Sequence, residues 1–159
     1  MTHILEAGLE FMDSNNPDNL PKVKGYNIIN GQLTSSSDGS TFISKNPAVL
    51  ADELGEFPLS TRDDVHAAIA AARSALTDWA ATPAPTRGQI IGNMGRLLME
   101  YKEDLVRLQA REIGKTLKEC GGEIQEAIDT CLFFQSEGRR LYGQTVNSEL
   151  PDKELFTYR

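Results

Sequence analysis

Apolar residues recur at helical spacing through the second half of the chain. Val65, Ile69, Ala72, Leu76 and Trp79 follow one another at intervals of 4, 3, 4 and 3 residues, which places them on one stripe of an amphipathic helix. Ala67, Ala68, Ala70, Ala71 and Ala75 fill the same stretch with the strongest helix former. Ser60 and Thr61 each stand three residues before an acid, Asp63 and Asp64, the spacing of a capping box. A helix is therefore predicted over residues 61–80. Thr82-Pro83-Ala84-Pro85 ends it, and Pro85 suits the first turn of a second helix. Ile90, Ile91, Met94, Leu97, Leu98, Tyr101, Leu105 and Leu108 carry the period onward, predicting one helix over residues 85–112. Gly88, Gly92 and Gly95 inside it cost about 1 kcal/mol each against alanine, so a close neighbour is expected there. A third helix is predicted over residues 115–142. Leu117, Cys120, Ile124, Ala127, Ile128, Cys131, Gln135 and Tyr142 mark its buried side, and Glu119, Glu123 and Glu126 its solvated one. Gly121-Gly122 is the expected point of any bend.

Shorter patterns flank the helices. Tyr26-Asn27-Ile28-Ile29 reads as a strand, and Asn30-Gly31 after it is the strongest short hairpin signal. The hairpin is predicted over residues 26–34, with further strands over 41–44 and 52–57. Asn46-Pro47 closes the first of these, because a proline pushes the residue before it out of helical geometry. Residues 144–148 and 154–159 are strand-like, separated by Pro151-Asp152. Residues 1–23 read as an N-terminal arm, with Leu5, Leu9 and Met12 on one face of a short helix and a turn-rich run after it. The predicted fold class is α+β and mainly helical: three long helices with a short β hairpin or meander. The chain stops inside its last strand pattern, which predicts that the native sequence continues. A strand over residues 155–158 with no sheet to join, and helix faces with nothing to cover, predict self-association or strand exchange.

Charge and composition narrow the partners. The chain has 159 residues, 40% hydrophobic and 25% charged, which suits one globular domain. Its net charge is −7, so neither a nucleic-acid backbone nor an anionic membrane is an expected partner. No apolar run approaches the roughly 20 residues of a membrane span. Met1-Thr2-His3-Ile4-Leu5-Glu6 lacks the basic start and apolar run of a signal peptide, and a cytoplasmic location is expected. Cys120 and Cys131 would lie roughly 16 Å apart along one helix, too far for a disulfide. They read as small buried hydrophobes. The only histidines are His3 and His66, so neither thiol has a base near it in sequence.

Glu112-Ile113-Gly114-Lys115-Thr116 is the stretch with the most chemistry to weigh. Gly-Lys-Thr is how a phosphate-binding P-loop ends, but that motif also needs a glycine where this chain has Gln109. The stretch instead reads as a helix junction, with Gly114 ending one helix and Lys115 opening the next. Gly88, Gly92 and Gly95 have the wrong spacing for a dinucleotide fingerprint, and no strand precedes them. No nucleophile with a base, no metal set and no cofactor loop is evident, so no catalytic residue and no cofactor-binding residue is assigned to this chain.

The order of these features resembles the N-terminal region of the aldehyde dehydrogenase superfamily, over residues 24–159. Asn30-Gly31 is similar to the family's Ile-Asn-Gly turn, and Asn46-Pro47-Ala48 to its Asn-Pro-Ala segment. Ser60-Thr61, Val65, Ala68 to Arg73 and Trp79 resemble its alanine-rich helix. Arg87 stands where the family has the arginine of a Glu-Arg pair, although Thr86 replaces the acid. Glu112 to Thr116 is similar to its Glu-Thr-Gly-Lys-Pro segment, and Gly143 with the strand after it continues the match. The resemblance implies part of an α/β dinucleotide-binding fold. It also implies a parent enzyme that oxidises an aldehyde or semialdehyde to its acid with NAD or NADP. In that chemistry a cysteine thiolate attacks the aldehyde, hydride passes to the nicotinamide, and a glutamate assists hydrolysis of the thioester. The family's cysteine and glutamate fall beyond residue 159, so the chain alone is expected to be inactive. A homo-oligomer is implied as well. Some members hold a structural monovalent cation through an acid at the place of Glu112 and backbone oxygens here belonging to Ser44 and Lys45; a salt bridge or helix cap is the alternative role for Glu112. The general texture is nearest to bacterial semialdehyde dehydrogenases, such as those for 2-oxoglutarate semialdehyde. The contrasting possibility is a stand-alone helical interaction module without catalysis.

Overall fold

Hairpin chemistry organises the first strands. The computed structural model describes residues 22–158, so the arm predicted over residues 1–23, with its Leu5–Leu9–Met12 face, lies almost wholly outside the described residues. β2 (Asn27–Ile29) and β3 (Gln32–Thr34) pair antiparallel, with Ile28 opposite Leu33. Asn30 and Gly31 connect them at φ of 51° and 73°, the left-handed pair that a two-residue hairpin turn requires. The other early strands form a separate sheet rather than one continuous meander. β4 (Thr41–Lys45) runs antiparallel to β5 (Glu53–Pro58), and β1 (Val23–Lys24) runs parallel to β5 on its other side. Phe42 faces Phe57 across the β4–β5 pair, and their rings stack with centroids 5.8 Å apart. The β4–β5 register slips between Ser44 and Lys45.

Four helices follow: α1 (Arg62–Ala81), α2 (Ala84–Glu100), α3 (Lys102–Ile113) and α4 (Leu117–Glu137). The capping box predicted at Thr61 is formed. Asp64 Oδ2 accepts from Thr61 N at 2.7 Å, and Thr61 Oγ1 lies 3.4 Å from Asp64 N. Asp64 also takes Ser37 N at 3.0 Å, so the same carboxylate that caps α1 ties down the β3–β4 loop. Satisfied in this way, it is the one buried residue of α1. The apolar stripe of α1 is left uncovered among the described residues: Val65 is 52% exposed and Leu76 60%.

The single helix predicted over residues 85–112 is two. Tyr101 separates α2 from α3 with φ −98° and ψ 17°, outside helical geometry. Its carbonyl then accepts Leu105 N at 3.0 Å, the first bond of the next helix. No proline or glycine marks the break, and the apolar period runs straight through it. The last helix also ends earlier than predicted, at Glu137 rather than near residue 142. Bonds from Arg139 N to Ser136 O and Arg140 N to Glu137 O tighten the chain around Gly138, a poor helix former. Tyr142 consequently leaves the predicted buried side and is 70% exposed.

The described chain divides into two compact units. One comprises residues 22–81 and 101–124, the other residues 82–100 and 125–158. In the first, Leu54 and Cys120 are fully buried. In the second, Ile128 is fully buried, Cys131 nearly so, and both cysteines are unpaired thiols. The second unit explains the glycines of α2. A Cβ on Gly88 would collide with the Gln135 carbonyl, on Gly92 with the Gln135 side chain, and on Gly95 would lie 2.8 Å from Cys131 Cβ. The close neighbour expected from sequence is α4. The final strands also find a partner. β6 (Thr145–Val146) pairs antiparallel with β7 (Leu155–Phe156), and Thr157 N bonds Gln144 O at 2.9 Å. The last strand, expected to have no sheet to join, thus has one edge satisfied within the chain.

Candidate functional site

The junction at Glu112 to Thr116 is built by two caps back to back. Gly114 ends α3 in the left-handed conformation, φ 71° and ψ 18°, and its N–H bonds Ala110 O. This is the geometry that a helix C-terminal glycine supplies without steric cost. Thr116 then opens α4, one residue later than the sequence reading placed it. Its backbone N–H donates to Glu119 Oε2 at 3.1 Å, and Glu119 N lies 3.3 Å from Thr116 Oγ1. The Thr116 hydroxyl, donating to Glu119 Oε2 at 2.8 Å, and then the Thr116 N–H hold the Glu119 carboxyl below its ordinary pKa.

Tertiary structure brings Asn46-Pro47-Ala48 against this junction. A Cβ on Gly114 would lie 2.9 Å from Pro47 Cγ, with Ala48 next nearest. The absence of a side chain at residue 114 therefore serves both the turn and the contact. Asn46 is buried and hydrogen-bonded through both ends of its amide: its Nδ2 donates to Asp52 Oδ2 at 3.0 Å, and its Oδ1 accepts Ala48 N at 2.9 Å. Arg111, one turn before Gly114, closes the arrangement on Asp52. Its Nε reaches Oδ2 at 3.0 Å and its Nη2 reaches Oδ1 at 2.6 Å. The Arg111 hydrogen bond is the main cause that lowers the Asp52 pKa. Neither residue was singled out for a role from sequence. They stand 59 positions apart, and no local pattern announces such a pair.

A second set of contacts lies beside it. Glu123 of α4 accepts from both Gln109 Nε2 and Lys115 Nζ. The bond to Glu123 raises the Lys115 pKa. A groove of about 450 Å³ runs past these groups, with Asn46 and Ala48 on one side and Arg107, Arg111, Gly114 and Lys115 on the other.

The residues considered for a cation are placed as follows. Glu112 is exposed in the last turn of α3, Ser44 is half-buried, and Lys45 is exposed. α3 packs on β4, the strand that carries Ser44 and Lys45. The register shifts between those two residues, with Ser44 opposite Gly55 and Lys45 opposite Glu53, so the extra residue of the irregularity is Leu54 on β5. The glycines of α2, by contrast, are filled by Gln135 and Cys131 and form no phosphate cradle. Among the described residues, no helix is long and apolar enough to cross a membrane.

The comparisons with known proteins agree with this arrangement. The model of the aldehyde dehydrogenase family matches residues 33–159. Succinate-semialdehyde dehydrogenase [NADP(+)] GabD of Escherichia coli (strain K12) is 39% identical over 132 residues, covering 83% of this chain and 27% of that protein. The alpha-ketoglutarate semialdehyde dehydrogenase of Haloferax volcanii is 34% identical over 131 residues, covering 82% and 27%. The crystal structure of an NAD-dependent aldehyde dehydrogenase from Sinorhizobium meliloti superposes with a TM-score of 0.79 at 28% identity, over 89% of this chain and 29% of that one. The chain thus spans about 27% of the length of the curated relatives it matches. With the family's model covering most of its residues and its Asn-Pro-Ala and Glu-x-Gly-Lys segments seated against each other, this chain belongs to the aldehyde dehydrogenase family.

Proposed function

We propose that residues 24–159 form the N-terminal part of the nucleotide-binding domain of an NAD(P)-dependent aldehyde dehydrogenase, preceded by an arm of residues 1–23. The parent protein oxidises an aldehyde or semialdehyde to its carboxylic acid. The observation that carries this reading is the seating of Gly114 on Pro47, which joins two family segments inside the matched residues 33–159. The names of the relatives, semialdehyde dehydrogenases among them, support a semialdehyde as substrate. The nicotinamide cofactor supplies the hydride acceptor, and the family's catalytic cysteine and glutamate and most of its dinucleotide site fall outside residues 1–159.

What this chain contributes is scaffold. Arg111, Asp52 and Asn46 hold the 46–48 segment to the end of α3, and the Thr116 box fixes the direction of α4. Glu112, with the carbonyls of Ser44 and Lys45, holds a structural monovalent cation in this reading. The parent protein is cytoplasmic and a homo-oligomer. The exposed stripe of α1, with Val65 and Leu76 half or more uncovered, supports a partner surface supplied by the rest of the protein or by another copy.

The test is an assay of reduced nicotinamide formation with succinate semialdehyde and either NAD or NADP. The purified 159-residue chain is expected to give none, and the product of a reading frame extended past Arg159 is expected to give turnover. Activity in the short chain would overturn the placement of the active site. A genuine stop codon after Arg159 would instead favour a stand-alone interaction module, the reading that the uncovered α1 stripe would then serve.

A further inference from the structure

The groove of the first unit is cationic on an acidic protein. Arg107, Arg111 and Lys115 line it and, among the described residues, no Asp or Glu does, while the whole chain carries −7. Two of these cations are already compensated, Arg111 by Asp52 and Lys115 by Glu123. Arg107 is different. Among the described residues its side chain has no hydrogen bond or ion pair. The wall around it is apolar and small, formed by Ala48, Ala110 and Leu117. At about 450 Å³ the space falls within the size range of small-molecule sites.

The geometry points to a binding site for a short-chain organic monocarboxylate in this groove. Arg107 receives the carboxylate through the paired N–H geometry that guanidinium offers. The Ala48, Ala110 and Leu117 wall takes the aliphatic body. A cation unpaired among the described residues, beside an apolar wall, suits a ligand with one charge and a hydrocarbon tail better than a fully hydrated phosphate. This site goes beyond the dehydrogenase reading and does not depend on it.

Butyrate is a suitable ligand for the test. Titrating the isotopically labelled chain with it should shift the Ala48 and Ala110 methyl resonances saturably. Arg107→Ala should weaken binding about tenfold, the value of one lost charge-assisted contact, and Arg107→Lys should fall between. Unchanged Leu54 and Cys120 resonances, from the core of the same unit, would show that each variant is folded. Butyramide, of the same shape and uncharged, should not saturate the site, and phosphate should bind more weakly than butyrate. The assignment is overturned if butyrate causes no saturable shift, if Arg107→Ala binds it equally well, or if butyramide or phosphate matches it.

Discussion

Arg111 and Asp52 meet across 59 residues of sequence through two parallel contacts, Nε to Oδ2 at 3.0 Å and Nη2 to Oδ1 at 2.6 Å. The arginine side chain is only 12% exposed and the aspartate 29%, so water screens the pair less than it would on an open surface. Asp52→Ala leaves a half-buried guanidinium and the Asn46 amide without their acceptor. It should lower stability by about 2 kcal/mol, read as a lower urea midpoint. Arg111→Ala should cost less, and the double variant should cost less than the sum, because both single changes remove the same contact. Strict additivity would show that the pair contributes nothing as a unit.

The same carboxylate gives a pH dependence of definite sign. Folding lowers the Asp52 pKa, first through the Arg111 hydrogen bond. Its stabilisation is therefore present above the unfolded carboxylate value near pH 4 and is lost as pH falls through the lower folded value. Asp64 and Glu119 have the same sign, both lowered first by hydrogen bonds from the threonine of their capping box. Unfolding followed at decreasing pH should show stability falling below about pH 4, with Asp52→Asn removing part of that fall. A wild-type curve that stays flat through this range would refute the assignment.

Gly114 and Gly31 separate two costs of replacing glycine. Both have positive φ, 71° and 73°. A Cβ on Gly31 meets nothing within 4 Å, whereas one on Gly114 lies 2.9 Å from Pro47 Cγ. Gly31→Ala should lose about 1 kcal/mol from backbone strain alone. Gly114→Ala should lose that amount and about 1 kcal/mol more as Pro47 is displaced. Thermal melts of the two variants side by side decide it, and equal losses would mean that the Pro47 contact is slack.

The helical glycines divide in the opposite sense. Gly88 faces the Gln135 backbone carbonyl, while Gly122 in α4 has open space around it. Gly88→Ala should destabilise by about 1–3 kcal/mol through overpacking. Gly122→Ala should stabilise by about 0.5–1 kcal/mol, because alanine is the better helix former and restricts the unfolded chain. Denaturant titrations with opposite shifts of midpoint are the expected result.

Features set by neighbours in sequence were readable before folding. The Asn30-Gly31 turn, the Thr61–Asp64 box and the α1 stripe depend on groups within four residues of each other, and each is found where the pattern puts it. The crowding at Gly88, Gly92 and Gly95 was legible as a need, though not the identity of Gln135 and Cys131 as what fills it. The break at Tyr101, the early end of α4 at Glu137 and the Arg111–Asp52 pair were not legible. Residue preferences for helix differ by less than about 1 kcal/mol, so packing can end a helix where no proline or glycine stands. The site shows the same division. The end of α3 at Gly114 was read from that glycine, whereas the Thr116–Glu119 box was not, although its three-residue spacing carries the signal. That Gly114 rests on Pro47 and that Arg111 holds Asp52 was decided only when the chain closed on itself, because hydrogen bonding and packing act through space and leave no spacing in the sequence to read.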